Sequence, residues 1–487
     1  MKKSLALLLA LTLLLTPLAA LAEEEAPVIT MLLSANASSN EENAVLDKIY
    51  EETGVIFKPT VVSAADYPGK LSSQIASKTL PDIIQFSMVE GQEFADNGVI
   101  IELSELFEQY GQEIIADRGE DLYQGLNTSD QIWGVPWGSK TGPNVMNVRM
   151  DWLENLGLEM PTDLDSFFEV MMAFTYDDPD QNGIDDTYGI GFAMTIPERF
   201  AGIFAAYGIP YGTNVVLEDG TVTSYLLHPD YVNAVTYLNK LYHAGVMETE
   251  FVTIPTMTLL EKLWNGKMGA WYGNATATLN GWLSRYTEET IPDWGFTVIR
   301  GPRGEGGSPQ IHMTDYWGIT SSCKNPEAAV KLVNYLTSDP GEELVWLGVE
   351  GKHFTWNDEG HTSFTAIEPY TDNAVLRADG GVTYFSQFQN FDIPNSVVYR
   401  TSSDKVKEGM LLGFDTAMPD AFIYQPLKTS IEYGSTLDSI VLEALATLIV
   451  TDPETIQQEY DQFVERWLDE GGREYQEEAT AVYNSLH

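Results

Sequence analysis

The N-terminal third of the chain alternates between two hydrophobic periods. Val28-Ile-Thr-Met-Leu-Leu33 is a short, nearly unbroken apolar run, as expected of a strand buried on both faces, and polar Ser34 to Asn40 follow it. From Asn40 to Thr53, Val45, Leu46, Ile49 and Tyr50 recur at helical spacing until Gly54 stops the pattern. Val55 to Val62 predicts a second strand, Tyr67 to Lys78 a helix, and Leu80 to Phe86 a third strand. Strands alternating with helices predict an α/β fold with a doubly wound, mostly parallel sheet, whose ligands gather at the carboxyl ends of the strands. Those ends are Ser34 to Asn36 and Phe86 to Met88, which nominates Asn36 and Ser87 as ligand contacts.

Gln131 to Gly138 is a short apolar stretch broken by Gly134 and Pro136, and with Lys140 to Asn147 it predicts a crossing between two lobes. Asp151 to Gly157 and Pro161 to Phe174 are helical in pattern, with Thr162 predicted as the cap and Asp165 in the first turn. Trp152, Trp346 and Trp467 fall within helical patterns and are expected in the core.

Between the second of these helices and the next strand lies Tyr176-Asp-Asp-Pro-Asp-Gln-Asn-Gly-Ile-Asp-Asp-Thr-Tyr188. Asp178, Asp180 and Asn182 stand at positions 1, 3 and 5 of a calcium loop, Gly183 at the bend, Ile184 offers its carbonyl at position 7, and Asp186 follows at 9. Alternate residues in a tight loop converge their oxygens on one point, which a hard cation needs. Position 12 of a full EF-hand demands a bidentate Glu, but Gly189 stands there, so the motif predicts Ca²⁺ binding that stiffens a loop, with no catalysis. An acidic, Asx-rich surface turn is the alternative.

Composition narrows the class. Lys2 and Lys3, apolar Leu5 to Leu15 and Ala20-Leu21-Ala22 form a secretory leader, expected to be removed before Glu23. No cysteine lies near that site, so a lipobox anchor is not expected and the product is read as exported, to a periplasm or the medium, and not itself membrane-spanning. The lone Cys323 forms no internal disulfide, so packing, together with the metal, is expected to supply stability. A formal net charge of −46 disfavours nucleic acid as a partner, while 11 Trp, 24 Tyr and 20 Phe mark a folded protein with an acidic surface. A length of 487 residues predicts two or three domains.

Several segments, in order, carry a resemblance: Arg149-Met-Asp-Trp-Leu through Pro161-Thr and Phe174-Thr to the Asp178-Pro-Asp-Gln-Asn-Gly loop and Thr187-Tyr-Gly189; Trp264-Asn-Gly-Lys-Met-Gly-Ala-Trp-Tyr272; Trp317-Gly-Ile-Thr-Ser-Ser-Cys-Lys-Asn-Pro-Glu-Ala-Ala-Val330; Gly348-Val-Glu-Gly-Lys-His353; and Phe463 to Gly472. Over nearly the whole chain it resembles the family 1 extracellular solute-binding proteins of ABC importers, in the large calcium-containing branch that includes alginate-oligosaccharide-binding proteins. The resemblance implies a bilobal fold that closes on its ligand, with residues 23–140 plus 300–350 in one lobe and 141–299 plus 351–487 in the other. It implies an oligosaccharide ligand and the membrane subunits of an ABC permease as partners; a monomer suits that role. The chain departs from lipoprotein relatives in lacking the cysteine, and from a close calcium relative in having Thr187 where an acidic residue follows position 9.

Sugar sites combine flat aromatics with amides, carboxylates and donors. Beside Asn36 and Ser87, the candidates are Trp137 and Asn144 at the crossing, adjacent Trp271 and Tyr272, Trp317, and the loop of Lys352, His353 and Trp356. Core packing is the alternative for each aromatic. Trp271 and Tyr272 point to opposite faces of one strand, so one of them is expected to meet solvent or ligand. Lys140, Arg149, Arg199, Lys352 and Arg400 are the cations a uronate would need. Two other functions stay open: a peptide or other small solute in the same fold, and a secreted glycoside hydrolase, which needs two flanking carboxylates. The sequence holds no Gly-x-Ser-x-Gly, His-Glu-x-x-His or P-loop motif, and Cys323 sits in a turn before a helix, so no enzyme is expected.

Overall fold

The structure is a computed structural model describing residues 25–34, 39–138, 143–281, 292–391 and 393–486. Two sheets, each with its own core, organise it. The first has five strands in the order Ile56–Val62, Val28–Ser34, Ile83–Ser87, Asp315–Ile319, Val135–Trp137. Its first three strands are parallel, and Asp315–Ile319 enters antiparallel to both Ile83–Ser87 and Val135–Trp137. The central strands are buried on both faces, which explains their unbroken apolar runs: Ile29, Met31 and Leu33 join one core, and Leu32 with Phe86 the other.

Local chemistry sets the helix ends. Asn43 accepts the Leu46 N–H at 2.9 Å to start the helix Ala44–Thr53, and Gly54, predicted to stop it, does so at φ +69° in the left-handed conformation. The helices Pro326–Leu336 and Asp339–Leu347 return to the first core through Ala329, Val330, Leu332, Val333, Leu336, Leu344 and Val345. Residues 351–487 are expected together in the second lobe, but Tyr384 and Phe388 pack in this first core. Glu342, from the helix Asp339–Leu347, holds that stretch by accepting the backbone N–H groups of Asn390 and Val397.

The second sheet has four strands in the order Trp294–Thr297, Asn144–Arg149, Met268–Asn274, Tyr188–Ile190. Only Tyr188–Ile190 runs parallel to its neighbour, so this sheet is mostly antiparallel, while the first has two parallel and two antiparallel pairings; both sheets are mixed, where a mostly parallel one is expected from the sequence. The helix Leu164–Tyr176 packs against it, starting at Asp163, whose carboxylate accepts the Ser166 N–H at 2.8 Å; the predicted cap at Thr162 is therefore one residue early. The 23-residue helix Lys428–Val450 is long and apolar enough to cross a membrane. It buries Leu437, Ile440, Val441, Ala444, Leu445, Leu448 and Ile449 in the second core.

Candidate functional site

Where the first sheet ends, Asp315 pairs with Ser87 on one side and Trp137 on the other. Directly opposed residues of antiparallel strands present their side chains on one face, so these three form a row. Ser87 caps the helix Met88–Asp96: its hydroxyl donates to Glu90 at 2.7 Å, as does its backbone N–H at 2.8 Å. Trp137 is half-buried against the first core, with its indole N–H buried and unpartnered among the described residues. Asp315 is exposed and has no side-chain partner among the described residues. Partial desolvation, then Glu90, hold its carboxyl above the ordinary aspartate range.

From Trp137 the chain crosses to Asn144, the first residue of the second sheet, which pairs with Asn274. Six residues, 138–143, separate Trp137 at the edge of the first sheet from Asn144 in the second, so the chain passes directly from one row to the other. Arg199 Nη1 donates to Asn144 Oδ1 at 3.2 Å and to the Tyr272 carbonyl at 3.3 Å, with its guanidinium 4.9 Å from the centre of the Trp271 ring. Burial lowers the pKa of that guanidinium. Ser308 donates to the Asn144 carbonyl, and Asn274 Oδ1 accepts the Thr276 N–H at 2.7 Å.

The adjacent aromatics behave differently from the expectation. Trp271 and Tyr272 are 0% and 2% exposed. They do point to opposite faces, but each face is covered: Tyr272 lies in the second core against Gly202, where an added Cβ would come within 2.5 Å of the ring, and Trp271 packs with Leu259, Leu263 and Trp264. Neither meets solvent. Trp317 is likewise fully buried in the first core, paired with Gln85 and Val135.

Lys352 and His353 come together on one carboxylate. Asp379 accepts from Lys352 Nζ at 2.6 Å, from His353 Nε2 at 3.0 Å, from Tyr370 at 3.1 Å and from the Ala44 N–H at 2.9 Å. Burial alone would raise its pKa; these donors outweigh burial and hold it well below the usual range. The pair is thus committed within the protein, although His353 lines a cavity of about 490 Å³ that also takes in Asn274, Tyr370 and Arg377. Trp356 stacks on His361 at 4.4 Å. Arg149 is paired with Asp151, and Arg400 with Glu343. Asn36 and Lys140 lie outside the described residues.

One cluster had no signal in the sequence because its members are far apart. His312 Nε2 meets Asp420 at 2.8 Å, its Nδ1 meets the Tyr424 hydroxyl at 2.9 Å, and its ring stacks on Phe422 at 4.0 Å. His312 and Tyr424 line a cavity of about 500 Å³ with Asp121, Gln124 and Phe391.

In the acidic loop, Asp178 and Gln181 adopt φ +50° and +56° and Gly183 φ +76°, the bend that alternate-ligand geometry requires. Asp178 accepts the N–H groups of Asn182 and Gly183, Asn182 Nδ2 donates to Asp180 at 2.7 Å, and Lys267 pairs with Asp186 at 2.5 Å. The Ile184 carbonyl accepts the Asp186 N–H at 3.1 Å. Burial first, and then Asp178 and Asp186, raise the pKa of Asp180. Acidic and amide oxygens are the donors that a hard cation takes. No group of three His, Cys, Asp or Glu side chains among the described residues could hold a metal by itself, so the Asn182 amide and backbone carbonyls would have to complete the shell.

Residues 36–343 match the family described as bacterial extracellular solute-binding protein, which is more than half of the chain; the protein belongs to that family. The lipoprotein LipO of Bacillus subtilis is 24% identical over 491 residues, covering 94% of this chain and 92% of LipO. The fructooligosaccharide ABC transporter substrate-binding protein FusA of Streptococcus pneumoniae is 28% identical over 319 residues, covering 60% of this chain and 57% of FusA. The solved complex of FusA with kestose superposes with a TM-score of 0.67 at 22% identity, covering 94% of this chain and 99% of that one. FusA has also been solved as an EF-hand mutant, with a TM-score of 0.68 at 21% identity and the same coverage. Alginate-binding AlgQ2, solved without calcium, superposes with a TM-score of 0.70 at 16% identity, covering 95% and 98%.

Proposed function

We propose that the protein captures an oligosaccharide between its two sheets and delivers it, uncleaved, to the membrane subunits of an ABC permease. The observation that carries the reading is the pair of polar rows at the two ends of the segment from Trp137 to Asn144: an exposed carboxylate and an aromatic at the edge of the first sheet, two amides in the second. That is the group set a sugar ring needs, and concave sites between lobes are where such ligands sit. The names of FusA and AlgQ2 point to the same ligand class. Ligand bridging both lobes stabilises the closed form, since only a difference in affinity between closed and open forms can drive closure. The two lobes are residues 23–140 plus 300–350, with Tyr384 and Phe388 added to that side, and the remainder. The protein acts as an exported monomer after loss of its leader, and Ca²⁺ held by Asp178, Asp180, Asn182, Ile184 and Asp186 stiffens the loop before Tyr188–Ile190; FusA, solved as an EF-hand mutant, and AlgQ2, solved without calcium ion, are the relatives that support that assignment.

The test is thermal unfolding with calcium across a panel of neutral and uronic oligosaccharides, with the sugar recovered afterwards. A ligand at about 100 times its dissociation constant adds about 2.7 kcal/mol of stability. A raised melting temperature with intact sugar is the expected result. Recovery of cleaved sugar overturns the binding reading, and no shift with any sugar removes the ligand class.

A further inference from the structure

We infer that Asp315, set between Ser87 and Trp137 at the end of the first sheet, is a ligand-contacting residue that restricts the site to neutral sugars; the inference rests on the oligosaccharide reading above. In this row, Ser87 and Glu90 are spent on each other in the helix cap, while the Asp315 carboxylate is exposed and unpaired among the described residues. Two buried donors accompany it: the Trp137 indole N–H and Gln85 Nε2 have no partner among the described residues, while Gln85 Oε1 accepts the Ser34 N–H at 2.7 Å. Gln85 is 2% exposed and precedes Ser87 by two positions, which places it on the same face of its strand. Buried donors without acceptors are rare in folded proteins. A sugar supplies what they lack, because each hydroxyl both donates and accepts. A vicinal hydroxyl pair donates to the two oxygens of Asp315 in charge-assisted hydrogen bonds, while the apolar ring face lies on Trp137.

Charge decides against an acidic ligand. A uronate here would bring its carboxylate against both Asp315, held above the ordinary aspartate range by desolvation first and Glu90 second, and Glu90 itself. Arg118, which reaches this edge through the Pro136 carbonyl, is buried with its charge neutralised by Asp117 and Nη1 also on the Gln389 carbonyl, leaving only Nη2 without a partner among the described residues. Arg199 is held by Asn144 and Tyr272, and Lys352 by Asp379. Arg377 lines the His353 cavity, on a different element.

Titration calorimetry on the calcium-loaded protein tests this with neutral fructo-, manno- and xylo-oligosaccharides and with galacturonate and alginate oligomers. A neutral oligomer binds, the uronic ones do not, and Asp315→Asn weakens neutral binding by about tenfold or more, the loss of one charge-assisted pair, at an unchanged melting temperature. A uronic oligomer that binds as tightly as any neutral one overturns the selectivity while the oligosaccharide reading stands. Full affinity for a neutral oligomer in Asp315→Asn overturns the placement of Asp315 and likewise spares that reading. Binding of neither class removes the reading and this inference with it.

Discussion

His353 donates through Nε2 to Asp379 at 3.0 Å, while its Nδ1 accepts the Val349 N–H at 2.8 Å. Both ring nitrogens are therefore used, and the imidazole is fixed as the neutral Nε2–H tautomer. Asp379 gathers Lys352, His353, Tyr370 and the start of the helix Ala44–Thr53, so it binds residues far apart in sequence to the first sheet. Asp379→Ala strands several of these donors, and a cost of about 2–4 kcal/mol is expected in urea unfolding. A loss under about 0.5 kcal/mol, the scale of an ordinary surface substitution, would show that the cluster is incidental.

Two carboxylates give opposite pH dependences. Asp379 has a depressed pKa in the folded state, so its stabilisation is complete above the unfolded value of about 3.9 and fades as pH falls below that. Glu342 is fully buried, and burial pushes its carboxyl up to about 7 despite the N–H groups of Val397 and Asn390. The folded state then binds a proton that the unfolded chain releases near about 4.3, so Glu342 makes stability decline as pH rises from about 4.3 to 7. Melting temperatures recorded across this range are expected to fall less steeply with pH in Glu342→Gln than in the parent. Parallel profiles would contradict the assignment.

Chelation with EGTA is expected to lower the melting temperature without unfolding the protein. Calcium at about 100 times its dissociation constant adds about 2.7 kcal/mol, and Asp180→Ala removes the difference between calcium and chelator. Equal melting temperatures for the parent in both conditions would leave Asp178, Asp180 and Asn182 as a turn cluster.

Trp271→Ala is expected to cost about 3–5 kcal/mol, because the indole is fully buried and its loss opens a cavity beneath Arg199. Chemical denaturation checks this. A variant as stable as the parent would contradict the burial of Trp271.

Local periodicity made much of the fold legible. Ile29, Met31, Leu32 and Leu33 in the first apolar run and Val45 and Ile49 at helical spacing are buried as their patterns predict, while Val28 and Tyr50 at the ends are exposed. Sequence spacing carries no information on strand order, so the insertion of Asp315–Ile319 between Ile83–Ser87 and Val135–Trp137 left no mark, nor did the row it creates. The opposite facing of Trp271 and Tyr272 follows from strand geometry, but that helix Thr256–Trp264 covers the Trp271 face is a tertiary fact. His312, Asp420 and Tyr424 meet only through the chain crossings.

On the proposed function, ligand held between the two sheets draws the lobes together. Small-angle X-ray scattering with and without a saturating oligosaccharide tests it most directly. A smaller radius of gyration in the bound protein is the predicted result; an identical radius at proven saturation would contradict closure around the ligand.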